Sequence, residues 1–304
     1  MKFCHVAVAC AVCLAPGIGL RGQGALPAVQ KTVPKAVDVA PPPPSPEEQA
    51  KLLAEVRDYA INYTRRLPDF ICLEQTRRYE DPAGRQAWRL MDVLAARLSY
   101  FNQKEDYKLI SKNGRAVADV PYASVGGAFS TGDFGTSMRT VFDPASHASF
   151  AWKRWATLRG RRAHVFSYRV PPEHSTYMLA YEGEEGETQR VKTGSRGWVF
   201  VDEALKRIVR ITQEPLNVPP SFPIIKAEET LDYDFTRIGE SEFFLPLVAS
   251  LETERRGGMC TKNVKEFRLY RKFSSEAVIK FDGQELPPLA DDQTKEQPPQ
   301  KQPK

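Results

Sequence analysis

Histidine and cysteine are scarce: the 304 residues hold four histidines and five cysteines. Cys4, Cys10, Cys13 and His5 fall in the first 25 residues, which leaves Cys72, Cys260, His147, His164 and His174 beyond them. Two cysteines and three scattered histidines have no metal-ligand spacing, so no metal centre is expected. Beyond residue 25 no continuous apolar run approaches the length of a bilayer span, so the mature chain has no expected membrane crossing. A dense basic stripe interleaved with stacking aromatics is also missing: the formal charge is a mild +5, and arginines alternate with acids, which argues against nucleic acid. There is no Gly-x-Ser-x-Gly elbow for a catalytic serine. The glycine-punctuated stretch Gly126-Gly-Ala-Phe-Ser-Thr-Gly-Asp-Phe-Gly135 lacks the Gly-Lys-Ser/Thr ending of a phosphate cradle, and no cofactor is implied.

What is present begins with a leader. Lys2 precedes an apolar run from Phe3 to Leu20, and the small residues Gly22, Gly24 and Ala25 follow, which is the order of a secretory signal peptide over residues 1–25. An exported, periplasmic or extracellular protein is therefore expected, with lipidation of Cys10 left open. In an oxidising compartment Cys72 and Cys260 become disulfide candidates, two buried free thiols being the alternative.

Residues 26–44, with Pro27, Pro34 and the run Pro41 to Pro44, read as a polyproline-type linker. Ser45-Pro46-Glu47-Glu48 combines an N-cap serine, proline at the first helical position and glutamate at the third, so a helix starts there. Its apolar stripe, Leu52, Val56, Tyr59, Ala60, Tyr63 and Leu67, runs until Pro68. Strands follow, and Trp88, Leu90, Leu94, Ala96, Leu98 and Tyr100 alternate with polar residues, with Asp92 marking a bend. Asn113-Gly114 signals a hairpin. A short mid-chain helix is expected over Asp133 to Phe142, with Phe134, Met138, Val141 and Phe142 on its apolar face. The domain spans residues 45–284, and the polar, proline- and glutamine-containing residues 285–304 read as a disordered tail.

Gly197-Trp-Val-Phe-Val-Asp202, Lys206-Arg-Ile-Val-Arg-Ile211, Leu231-Asp-Tyr-Asp-Phe235 and Phe243-Phe-Leu-Pro246 together resemble the outer-membrane lipoprotein carrier superfamily. The segments Leu67 to Cys72 and Gly132 to Gly135 are also similar to segments of secreted proteins from soil bacteria. The resemblance implies an α+β fold: a curved antiparallel sheet, or half-barrel, holding an N-terminal and a mid-chain helix in its concavity, with room for a lipid moiety. Several strands carry apolar residues on both faces, which requires a second layer or a cavity. The expected ligand contacts, taken from strand position, are Trp88, Phe134, Met138, Trp152, Phe166 and Trp198. The reading is a non-enzymatic envelope protein that binds a lipid or acyl ligand. A protein-interaction or sensor module is the alternative, and a hydrolase using dispersed carboxylates a remote third.

Overall fold

The structure is a computed structural model that describes residues 41–117, 133–183, 187–273 and 285–298. The expected leader, most of the linker and the first part of the glycine-punctuated stretch lie outside the described residues.

The capping box forms as read. Ser45 Oγ accepts from the Glu48 N–H at 3.2 Å, and the Glu48 carboxylate accepts from the Ser45 N–H at 2.7 Å, which starts α1 (Pro46–Asn62). Leu52, Val56, Tyr59 and Ala60 form its buried stripe. The helix ends before Pro68, in a tighter turn over Thr64–Arg66, because Tyr63 is held where it is: its ring is buried and its hydroxyl donates to Phe244 O at 2.8 Å.

The strands are β1 (Phe70–Asp81), β2 (Arg89–Phe101), β3 (Lys104–Lys112), β4 (Arg115–Ala116), β5 (Ser149–Leu158), β6 (Arg161–Val170), β7 (Met178–Glu182), β8 (Thr188–Lys192), β9 (Gly194–Asp202), β10 (Ile208–Leu216), β11 (Ile224–Ile238), β12 (Ser241–Arg255) and β13 (Cys260–Lys272). Eleven of them form one antiparallel sheet in the order β4-β3-β2-β1-β13-β12-β11-β10-β9-β6-β5, while β7 and β8 pair separately. This is the expected curved, open sheet, with β4 and β5 as its edges. Asn113 and Gly114 both take positive φ at the β3–β4 turn, as a two-residue hairpin demands. Asp92 sits at a register shift, where it pairs with Arg78 at 2.7 Å.

Alternation assigns the two faces. Phe70, Cys72, Leu98, Tyr100, Phe166, Val199, Ile211, Leu231 and Tyr233 point inward and belong to one apolar cluster with Val56 of α1, with Tyr63 just past its end, and with Met138 and Phe142 of α2 (Thr136–Phe142). The layer between helices and sheet is occupied by these side chains. Ile71, Leu73 and Ala95 lie on the outer face, where Leu286 packs against them.

That outer contact is made by the described part of the segment read as a tail. The described part, 285–298, lies across the outer face and includes a short helix, α3 (Asp291–Thr294). Leu286 exchanges hydrogen bonds with the Gln75 amide at 2.8 Å in both directions, Arg268 donates to Pro287 O at 3.2 Å, and the Leu289 N–H donates to Glu266 at 3.0 Å. Farther along, Gln297 N–H donates to Thr157 O at 3.0 Å, beside an antiparallel bridge between Leu158 and Glu296 at the β5 edge. A proline-containing segment offers carbonyls without matching N–H groups, so it satisfies outward arginines without bringing donors that need partners of their own.

The expected disulfide is corrected: both cysteines are free. The β1–β13 register places Cys260 opposite Asp81, nine residues along the strand from Cys72. At the strand rise this is about 30 Å, several times the Cα separation a disulfide allows. Burial pushes the Cys72 thiol well above its ordinary pKa, whereas Cys260 is only partly covered. We expect the chain without residues 1–25, which keeps only Cys72 and Cys260, to show one thiol reactive toward Ellman's reagent when folded and two when unfolded if prepared without reductant. A mass 2 Da below the reduced value would contradict the register.

Candidate functional site

The six side chains expected to touch a ligand do not converge. Phe134, Met138 and Phe166 are fully buried in the packed interior, with the Phe134 ring 5.2 Å from Phe70 and 5.3 Å from Phe267. Trp152 is half-buried on β5, Trp88 lies under the Lys262 ammonium at 5.6 Å, and Trp198 is 43% exposed on the outer face of β9. Alternation marks which side chains leave solvent. It does not say whether the space they face is filled by the chain's own helices, and here it is.

Asp133 and Gly135 have a structural task. Asp133 makes a 2.6 Å ion pair with Lys265 inside the apolar layer, and its carbonyl accepts from Tyr233 Oη at 3.2 Å. Gly135 has φ of +106°, and a Cβ there would come within 2.5 Å of the Tyr63 ring, so only glycine fits.

Concave space exists elsewhere, where α1 begins. A cleft of about 460 Å³ is bounded on one side by Pro41 to Pro44, Glu48, Lys51, Leu52 and Glu55. Trp155, His164, Glu203 and Lys206 form the other side. Each wall follows from local structure. The capping box fixes the direction in which α1 leaves the proline run. The two-residue turn Arg159-Gly160 sets the β5–β6 register and pairs Trp155 with His164 across it, with ring centroids 4.1 Å apart. Asp202 closes the β9–β10 turn by accepting from the Ala204 and Leu205 N–H groups, both at 2.9 Å, which presents Glu203 and Lys206 at the rim.

Trp155 is held in place by Trp152, edge-on at 5.9 Å, and by the Arg162 guanidinium at 5.6 Å. Its indole N–H donates to Pro41 O at 2.8 Å, and Gln49 Nε2 donates to Pro44 O at 2.8 Å. His164 is 6% exposed, and its Nδ1 has no hydrogen-bond partner. Burial, reinforced by the Lys206 charge, pushes the His164 pKa below its ordinary value, so the ring is neutral at neutral pH. The cleft thus combines apolar surface from Leu52 and Trp155, the His164 ring, whose unpaired Nδ1 is itself buried, and a rim of mixed charge. Its lining contains no hydroxyl or thiol. Among the described residues no group of three or more His, Cys, Asp and Glu is placed to hold a metal ion, and no helix is long and apolar enough to cross a membrane.

The Trp155–His164 pairing was within reach of the sequence. Recognising Arg159-Gly160 as a two-residue turn fixes it by counting back along both strands. The proline run was legible as an extended segment, but its docking on Trp155 was not.

No family model matches the chain, and no curated protein matches it. Among solved structures, a LolA superfamily protein from Nitrosomonas europaea is similar at 11% identity and a TM-score of 0.30, covering 74% of this chain and 93% of that one. A DUF1329 family protein from Desulfovibrio piger aligns at 10% identity and a TM-score of 0.35, covering 74% and 95%. The Mycobacterium tuberculosis lipoprotein LppX aligns at 9% identity and a TM-score of 0.27, covering 71% and 94%.

Proposed function

We propose that this chain is an exported, non-enzymatic binding protein that holds an elongated hydrophobic ligand, an acyl chain or a molecule of similar shape, in the cleft between α1 and the β5–β6 hairpin. The observation that carries the reading is the cleft: its volume of about 460 Å³ falls within the usual range for small-ligand sites. Leu52 belongs both to the cleft wall and to the packed apolar layer, so a ligand resting on it extends an existing hydrophobic surface. Lys51 and Lys206 at the rim suit a carboxylate or phosphate head, and Glu48, Glu55 and Glu203 keep the rim from favouring strongly charged ligands.

The test is native mass spectrometry of the chain purified from a bacterial periplasm, with solvent extraction of whatever co-purifies, followed by titration with a fluorescent fatty acid. Near-stoichiometric lipid is expected, and Leu52→Arg is expected to weaken fatty-acid binding about tenfold by placing a charge on the apolar floor. An empty protein that also ignores added fatty acid ends this reading.

A further inference from the structure

We infer that the cleft recognises an extended proline-rich segment, and that Pro41 to Pro44 is its occupant in cis. The inference rests on the reading above that the cleft takes an elongated ligand, and it narrows the ligand to a class. Acyl chains and proline runs both offer apolar length, but they differ in what they ask of the polar groups beside them.

A proline run is a rigid, left-handed extended helix rising about 3.1 Å per residue, with exposed carbonyls and no N–H groups. A surface that recognises it needs a flat apolar face for the rings and donors aimed at the carbonyls. Both are present. Trp155 supplies an aromatic face, and its indole N–H donates to Pro41 O at 2.8 Å. At the other end of the run Pro44 O accepts from Gln49 at 2.8 Å, a local contact in the first turn of α1 that lies outside the cleft lining. An acyl chain could lie on Leu52 and Trp155 but would leave the indole N–H unpaired, a cost that a peptide avoids.

Two further features extend the argument past a structural tether. The prolines form one wall of the cleft, and about 460 Å³ remains beside them, so the run does not fill the space it borders. His164 Nδ1 faces no partner although the residue is buried against Trp155. That nitrogen is itself closed to solvent, so a ligand pairs with it only if the ring turns toward the cleft, where it can accept from an N–H or donate to a carbonyl. A tethered occupant competes with outside ligands at an effective concentration of the order of millimolar. The proline run then sets the affinity that a partner's own proline-rich segment must exceed.

The experiment uses the full chain, with and without the combined replacement of Pro41, Pro42, Pro43 and Pro44 by glycine, and follows binding of a fluorescein-labelled peptide of residues 39–46 by polarisation. A thermal midpoint unchanged within a few degrees confirms that the glycine variant is folded. We expect the glycine variant to bind the peptide at least tenfold more tightly than the wild type. Adding Trp155→Phe, which keeps the aromatic face and removes the donor, is expected to lower that affinity about fivefold. Equal peptide affinity in wild type and glycine variant overturns occupancy in cis. A glycine variant that takes up fatty acid but not peptide overturns the inference and leaves the hydrophobic-ligand reading intact. If neither ligand binds, both fall.

Discussion

Lys265→Met is expected to lower the unfolding free energy by about 3–5 kcal/mol, a large share of the ~5–15 kcal/mol that holds a typical domain together. Lys265 Nζ lies 2.6 Å from Asp133 Oδ2, and the two side chains are 6% and 1% exposed. The pair sits among Tyr233, Tyr107 and Glu105, and burial pushes the Glu105 carboxyl above its ordinary pKa. Methionine matches the length of lysine and removes only the charge. Asp133 would then be an anion in an apolar layer, next to another carboxyl that already resists ionisation. The damage would spread through the chain: Asp133 also anchors Tyr233, and Gly135, two residues on, packs against Tyr63 at the start of α2. Urea unfolding measures the effect. Replacing both partners, with Lys265→Met and Asp133→Leu together, is expected to recover part of the loss, because it removes the orphaned Asp133 anion while Glu74 and Glu229 still lose the Lys265 charge. A single-variant loss below about 1 kcal/mol would show that the pair is reached by water.

What the sequence discloses divides by range. The capping box at Ser45 and Glu48, the Asn113-Gly114 turn and the alternating strands are set by neighbours within a few residues, and the structure keeps them. Residues 285–298 carry no hydrophobic period, and composition alone marks them as solvated. Their order comes from partners such as Gln75, 211 residues away from Leu286, whose side chains are visible as acceptors and donors only once β1 and β13 are paired. The cysteines fail in the same way. Counting gives a pair, but the nine-residue offset along β1 is a property of a register between the two ends of the domain. Phe134, Met138 and Phe166 are buried in the layer between helices and sheet, and strand position alone does not tell a ligand contact from a core contact. The cleft at Trp155 lies where a linker, a helix start, a hairpin and a turn meet, so no single stretch of sequence contains it.

Asp232→Ala is expected to cost about 3–5 kcal/mol and, before global unfolding, to release the C-terminal segment from the outer face. Asp232 accepts both Nε and Nη2 of Arg210 at 2.8 Å, directly across the β10–β11 ladder, and takes Arg159 Nη1 at 3.4 Å. Arg159 reaches in from the β5–β6 turn to donate to Val209 O at 3.1 Å and Tyr233 O at 2.9 Å, and it pairs with Asp234 at 3.0 Å. Arg161 adds contacts to Asp234 at 2.8 Å and Asp202 at 3.2 Å, so three guanidinium groups balance three carboxylates. Arg159 and Arg210 are only 8% and 11% exposed, and removing one carboxylate leaves an excess positive charge that water cannot easily reach. These two arginines also hold the segment itself, Arg210 through Thr294 O and Arg159 through Gln293 O. Guanidinium groups pulled toward Asp234 can no longer make both bonds. Hydrogen exchange at the Lys295 and Gln297 amides should therefore accelerate before the β1–β13 amides do, and Glu228→Ala in the exposed Lys226 pair, as a control, should change stability by less than about 0.5 kcal/mol. Loss of stability with the segment still protected would mean that Leu286 and the β5 edge hold it without the arginines. Unchanged stability would mean that the three-to-three balance tolerates a missing partner, which a buried network of this charge density should not.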